Sequence, residues 1–410
     1  MKLLVMHQNY PGQFARLAPA IAREGTVVAV GVGDREEARI HGVRYRSHTS
    51  RLPSRSAIQP PHFDMEGELR TGRTAYQCLM GLKAQGFTPD VVFAHPAWGE
   101  ALFLRDVYPD VPLVAYLEYF YRSRDSDLDF DPEFAPASQL LPYVRFRNVP
   151  SLMAFEDADL CVTATAWQAS TFPQAIRSQL RTLHEGIDTT RTSPDPAARL
   201  TLPDGRVVTR DDEVVTFVSR SLEPYRGFHI VMRALPELLR RRPRATVVIV
   251  GGDDVSYGAS PGPGTTWRQR LLAEVGDSID PGRVHFLGRI AYDRYLTLLQ
   301  VSRLHLYLTY PFVLSWSLLE AMSAGCTVLA SDTAPVAEVI SDGENGRLFP
   351  FFDTRRLVDL AGELLDDPVA CRRLGEAARA TVRERYDFET QSLPRYREIF
   401  TELARKGRRS

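Results

Sequence analysis

The sequence predicts an α/β protein built from two doubly wound, Rossmann-like domains facing across a cleft. Three observations predict it. Short, continuously apolar strands alternate with amphipathic helices along nearly the whole chain, the pattern of a parallel sheet covered on both faces. A break rich in Pro, Asp, Thr and Arg interrupts the alternation near residues 189–213. A second alternating series follows it, and 410 residues exceed what one ordinary core organises.

In order along the chain, "KLLVM" (2–6) leads into a helix within "GQFARLAPAIAREG" and then "TVVAVGV" (26–32). "VVFAH" (91–95), "PLVAY" (112–116) and "DLCVTA" (159–164) continue the first series. The break "TTRTSPDPAARLTLPDGRVVTRDDE" reads as a linker or irregular excursion. The second series runs through "VVTFVS" (214–219), "ATVVIVGG" (245–252), "VHFLG" (284–288), "LHLYL" (304–308) and "TVLAS" (327–331). The domains are expected at 1–195 and 196–388, with the terminal helix 389–410 rejoining the first. Ligands of such sheets bind at the carboxyl ends of the strands.

Hydrophobic content of 44%, charged content of 25% and a net charge of −1 are those of a soluble globular protein and give no reason to expect nucleic-acid binding. Three lysines stand among 50 basic residues, an arginine skew that points to a GC-rich, bacterial genome. Cys78, Cys161, Cys326 and Cys371 show no C-x-x-C spacing, so neither zinc nor a disulfide framework is expected and a reducing cytoplasm is the default. No stretch reaches the ~20 apolar residues of a membrane span. The basic tail "ARKGRRS" reads as a solvated end, with peripheral attraction to an anionic membrane as the alternative.

Three motifs carry candidate chemistry. In "HQNYPGQFARLAP", Gly12 lies at a strand-to-helix turn where backbone amides can face an anion; the alternative is a tight turn that merely starts the helix. In "VSRSLEPYRGF", Arg220 and Arg226 lie on a strand-end loop and offer two guanidinium forks to a diphosphate; the alternative is a pair of solvated surface arginines. In "TYPFVLSWSLLEAMSAG", residues 311–315 form a turn into a helix whose first amides carry the positive dipole end. There, Ser317-x-x-Glu320 has capping-box spacing, yet Glu320 could equally accept bonds from the two hydroxyls of a ribose. Local spacing does not separate these readings.

Together, "SRSLEPYRGF", "VVIVGGDD", "VHFLGRI", "SLLEAMSAGCTVLASD", "APVAEVISDGENGRLF" and "LHEGID" resemble retaining glycosyltransferases of family 4, with the GT-B fold. The resemblance is dense from Leu183 to Phe349. It implies a nucleoside-diphosphate sugar, UDP- or GDP-linked, held by the second domain, and a hydroxyl acceptor (small molecule, glycan or natural product) held by the first. Arg220 resembles the family's diphosphate arginine, and Arg226 stands where a lysine is usual. Glu320 resembles the second glutamate of E-x7-E, which binds ribose. Amides around Trp316 and Ser317 would meet the diphosphate, and the backbone near Arg289 and Ile290 the base. Gly12 resembles the loop glycine that approaches the phosphates. The departing diphosphate is implied as proton acceptor, with no metal and no cofactor.

The chain departs from that pattern in three places. The first glutamate of E-x7-E is replaced by Phe312, which hands the sugar contacts to main-chain amides of Val313, Leu314 and Ser315. The basic pair is spaced six apart rather than five. Where a histidine commonly ends the strand after "PDVPLVAY", this chain offers Glu118, with His95 and Glu100 at the preceding strand's end as further candidates. The run "RDSDLDFDPE" reads as a solvated acidic loop; a sharper reading has Asp127 and Asp129, in the acceptor domain, receiving a cationic acceptor. Two rivals to transfer are another GT-B enzyme, an epimerase or phosphorylase, and a non-catalytic partner protein.

Overall fold

The computed structural model describes residues 1–33, 37–49, 65–135 and 138–407. The end of the basic tail, 408–410, lies outside the described residues. The chain divides into two compact units: Met1–Leu128, Pro136–Gly186 and Phe388–Ser410 form the first, and Asp129–Ala135 with Ile187–Asp387 the second. The boundary therefore falls at 186/187 rather than at 195/196, and a seven-residue segment from the expected first domain packs with the second unit.

The first unit holds strands β1 (Lys2–Met6), β2 (Thr26–Val32), β3 (Glu37–Ile40), β4 (Val43–His48), β5 (Val91–Ala94), β6 (Leu113–Tyr116), β7 (Leu160–Thr163) and β8 (Leu180–Thr182). Their order is β3-β4-β2-β1-β5-β6-β7-β8 among the described residues, parallel throughout except for the antiparallel β3–β4 pair. Alternation explains the unbroken apolar strands. Leu3 and Val5 of β1 enter one core with Phe14, Ile21, Phe93 and Tyr116, while Leu4 and Met6 enter another with Val28, Leu79, Val92 and Leu104. The terminal helix Leu393–Gly407 closes the first of these cores: Tyr396 and Phe400 lie 5.4 and 5.5 Å from the Phe93 ring.

The second unit carries β11 (Val214–Ser221), β12 (Thr246–Gly252), β13 (Val284–Phe286), β14 (Leu304–Tyr307), β15 (Thr327–Ser331) and β16 (Arg347–Phe349), ordered β13-β12-β11-β14-β15-β16 and all parallel. The stretch expected as a linker contains a small hairpin, β9 (Leu200–Thr201) and β10 (Val207–Val208). It is no free linker: Ala198, Leu200, Leu202 and Val208 are buried against Val248, Val250 and Leu298. Its apolar positions are too sparse to show periodicity, which is why the composition alone reads as a loop.

The acidic run is corrected in the same way. Asp131 is buried, accepts from the Tyr310 hydroxyl at 2.5 Å and lies 3.1 Å from His229 Nε2. Phe130 sits 5.1–5.2 Å from the rings of Tyr310, Phe351 and Phe352. Asp131, Glu133 and His229 bring possible ligand atoms within 4.8 Å of one another. Both Glu133 oxygens, however, receive Arg233, at 2.7 and 2.8 Å, so the cluster reads as side-chain pairing that seats the segment. Among the described residues no helix is long and apolar enough to cross a membrane.

Candidate functional site

In the second unit the predicted residues converge on the carboxyl ends of four adjacent strands. Arg220 is exposed near the end of β11, beside a register irregularity between Val218 and Ser221. Arg226 follows on a short 3-10 turn and is only 9% exposed. Its Nη1 donates to Thr309 Oγ1 at 2.8 Å and to the Val313 carbonyl at 3.2 Å, and the guanidinium lies 5.2 Å from the Tyr257 ring. Among the described residues it forms no ion pair with a carboxylate. Glu223 acts on it electrostatically but is occupied elsewhere. Its oxygens accept from the amides of Gly258 (2.9 Å), Tyr257 (3.2 Å) and Ser256 (3.3 Å), and burial raises its pKa despite those bonds. Burial disfavours the cation, the neighbouring tyrosines and Glu223 outweigh this without forming a direct ion pair, and an anionic ligand would add that direct partner.

Beyond β13, Arg289 is exposed and pairs with Asp254 at 2.5 Å, while Ile290 packs partly buried against the core. Gly252 leaves room for this: a Cβ there would stand 2.7 Å from Arg289 Nε. Helix Tyr292–Val301 then sends two tyrosines to one acid. Tyr292 and Tyr295 hydroxyls donate to Glu320 Oε1 and Oε2 at 2.9 and 3.0 Å. The helix bearing Glu320, Trp316–Ser323, is capped by Ser315, whose Oγ accepts from the Ser317 amide at 3.3 Å. The capping-box reading is thereby overturned, because Ser317 sits two residues past the cap and Glu320 is turned to the tyrosines.

Two amides expected to meet the donor already have partners: Ser317 N on Ser315 Oγ, and Ser315 N on the Tyr307 hydroxyl at 3.0 Å. Leu314 is buried at this turn. Phe312, in place of the family's first acid, is buried 5.2 Å from the rings of both Tyr225 and Tyr257 and 5.9 Å from the Arg226 guanidinium.

In the first unit, adjacent strands β1, β5 and β6 bring three side chains together. His95, directly after β5, is fully buried and stacks on Trp98 (4.6 Å) and Tyr116 (5.4 Å). Its Nε2 lies 3.4 Å from Glu118 Oε2, and Gln13 donates to Glu118 Oε1. His7, directly after β1, is 2.5 Å from Gln13 Oε1 and 5.0 Å from the His95 ring. The Glu118 side chain keeps 20% exposure. Burial pushes its pKa up, but His95 and the Gln13 hydrogen bond lead the contributions that outweigh this and hold it below the ordinary carboxylate range. Burial, and then His95, push His7 down to about 3.

Gly12 takes φ +43°, and a Cβ there would stand 2.2 Å from His7 Nε2. The glycine is thus required by the imidazole packed upon it as well as by its turn.

Other candidates do not join this group. Glu100 is 1% exposed, and burial pushes its carboxyl up to about 8; such a neutral, enclosed acid is not presented to an acceptor. Asp127 is buried and accepts from the Tyr119 hydroxyl at 2.8 Å, so it does not line a solvated loop. Asp129 is exposed and belongs to the second unit, so the expectation that both acids lie in the acceptor domain holds for Asp127 alone. His7, Gln13, Trp98 and Glu223 escaped the sequence reading. Gln13 reaches Glu118 across 105 residues and Glu223 binds backbone amides, neither of which leaves a local pattern. A polar residue immediately after an apolar strand was the one available signal, and it marks His7 as it marked His95.

Residues 24–192 match the family model described as glycosyl transferase family 4 group, and residues 204–381 match glycosyl transferases group 1. The GDP-mannose-dependent alpha-(1-6)-phosphatidylinositol monomannoside mannosyltransferase of Mycolicibacterium smegmatis is 27% identical over 250 residues, 57% of this chain and 60% of that protein. Phosphatidyl-myo-inositol mannosyltransferase of the same organism is 31% identical over 235 residues, 56% of this chain and 53% of that protein. The chain thus spans between half and two thirds of the length of these curated relatives. Sucrose-phosphate synthase from Thermosynechococcus elongatus superposes with a TM-score of 0.74 at 19% identity, covering 98% of this chain and 100% of that one, a likeness of fold.

Proposed function

This chain belongs to the family 4, group 1 glycosyltransferases and has the GT-B fold, and we propose that it transfers a sugar from a nucleoside-diphosphate sugar to a hydroxyl acceptor with retention of configuration. The bond from the anomeric carbon to the diphosphate breaks, the bond to the acceptor oxygen forms on the same face, and the acceptor's proton leaves on a diphosphate oxygen. Arg226 and, at the strand edge, Arg220 take up the charge developing on the leaving group. Glu320, held by its tyrosines, accepts the ribose hydroxyls. Glu118, in the first unit, accepts a hydroxyl of the acceptor. A guanosine or uridine diphosphate is the donor class; the GDP-mannose dependence of one relative favours guanosine. No metal is needed, because cationic side chains supply the neutralisation.

One observation carries the reading: the Arg226 guanidinium is buried without a carboxylate partner among the described residues, at the carboxyl end of a parallel sheet. The test is a thermal-shift panel of UDP, GDP, ADP and dTDP with their sugar conjugates, with and without magnesium. One nucleotide at a hundred times its Kd should stabilise the chain by about 2.7 kcal/mol, unaffected by metal. No shift with any of them at millimolar concentration would remove the donor site and favour a non-catalytic partner protein.

Glu320→Ala should weaken binding of the selected nucleotide by about 1–3 kcal/mol, roughly 5- to 150-fold. The melting temperature of the free chain should fall as well, since the buried Tyr295 hydroxyl loses its acceptor. Lowered stability with unchanged nucleotide affinity would leave Glu320 as a tyrosine anchor only.

A further inference from the structure

The cluster at the ends of β1, β5 and β6 has a fixed direction. The Asn9 amide donates to His7 Nδ1 at 3.0 Å. A backbone N–H can only donate, so Nδ1 presents its lone pair and the neutral imidazole carries its proton on Nε2. That proton points at Gln13 Oε1, 2.5 Å away, which turns the Gln13 carbonyl to the histidine and its NH2 to Glu118 Oε1. Read from the other end the polarity is the same, because an ionised carboxylate only accepts. Protonating His7 would set a second N–H against the Asn9 amide, and the depressed basicity of the ring keeps that state out of reach. The far carboxylate oxygen faces His95 Nε2 at 3.4 Å, and the Glu118 carbonyl is pinned by Gln168 Nε2 at 2.7 Å.

We propose that His7 and Gln13 are positioning residues: a one-way hydrogen-bond relay, anchored on the Asn9 amide, that holds Glu118 as an oriented carboxylate for the hydroxyl it receives. The inference rests on the role given to Glu118 in sugar transfer. It also accounts for Gly12, since any side chain there would displace the imidazole that starts the relay. The titratable groups acting on Glu118 are His7 and His95, and it acts in turn on Tyr116, whose hydroxyl is bonded to Glu185 at 3.1 Å.

The test uses the full chain labelled with [5-13C]glutamate, with the Glu118 resonance assigned by its absence from Glu118→Gln. Gln13→Met, which keeps volume and removes the donor, should raise the Glu118 titration midpoint by about one to two pH units. His7→Phe, which frees the Gln13 amide to turn, should move it the same way by less. With GDP- and UDP-sugars as donors, both variants should lower kcat about tenfold or more while donor KM stays put. Folded variants whose Glu118 titrates as in the parent chain would overturn the relay, and so would a moved midpoint with unchanged kcat. If the parent chain turns over none of these donors, the transfer reading fails by itself, while the resonance still decides whether His7 and Gln13 hold Glu118.

Discussion

Arg226→Met is expected to abolish turnover while leaving the free chain at least as stable as its parent. The loss of rate should be about 10²- to 10³-fold, the scale for removing a preorganised donor from developing negative charge. The stability expectation follows from what surrounds the guanidinium. It has two bonds to neutral oxygens, Thr309 Oγ1 and the Val313 carbonyl, and the faces of Tyr257 and Phe312, but no carboxylate among the described residues. Losing those bonds from a charged donor costs about 1.5–3 kcal/mol each, and removing a buried charge returns several kcal/mol. The melting temperature of the free variant should therefore stay within a few degrees of the parent or rise, while the shift produced by the nucleotide disappears. A large fall in melting temperature with the nucleotide shift intact would make Arg226 a strut.

Phe312 is part of this argument. An acid at position 312, as in the resembled motif, would stand close to the guanidinium and neutralise it. The phenylalanine instead completes an aromatic wall with Tyr225 and Tyr257, and Glu223, the other acid nearby, is spent on the amides of residues 256–258. The positive charge is left for whatever enters.

Strand positions were legible because both faces of each sheet are covered. Leu3 to Met6 and Val247 to Val250 are apolar at every step, and no other element of that length needs such a run. The edge pair β3–β4 was not, since "EARI" and "VRYRSH" mix charge into alternation at a sheet margin where one face is solvated. Position 226 was readable from its place before a helix, but its burial was not. Burial depends on Tyr257 and Phe312, brought in by other strands. The helix cap was misplaced by two residues because Ser315 and Ser317 are equally good cap residues; the Tyr307 hydroxyl on the Ser315 amide decides between them. Glu118 was singled out by its position after β6, whereas its partner Gln13 lies 105 residues away and left no local trace.

Glu118→Gln should cost more than any other single change in the first unit, about 10- to 150-fold in transfer rate, the scale for losing a hydrogen bond to a charged group. The substitution keeps the shape, and the new amide oxygen can still accept from Gln13, while its NH2 takes the place of the oxygen that faces His95 Nε2. What disappears is the charge. Nucleoside-diphosphate binding, read by thermal shift, should be unchanged, because the side chains assigned to the donor, Arg220, Arg226 and Glu320, lie in the second unit. The pH–rate profile supplies the sign. Burial alone would lift the Glu118 pKa, but His95 and the Gln13 hydrogen bond help hold it below the ordinary carboxylate range. The carboxylate is thus ionised above that depressed pKa, and activity that needs it should fall only as the pH drops through it. The parent should show an acid limb displaced below the usual carboxylate range, and Glu118→Gln should lose that limb with the rate. If the variant keeps both the rate and the limb, the group that receives the hydroxyl is another, and His95 has no carboxylate to serve in catalysis.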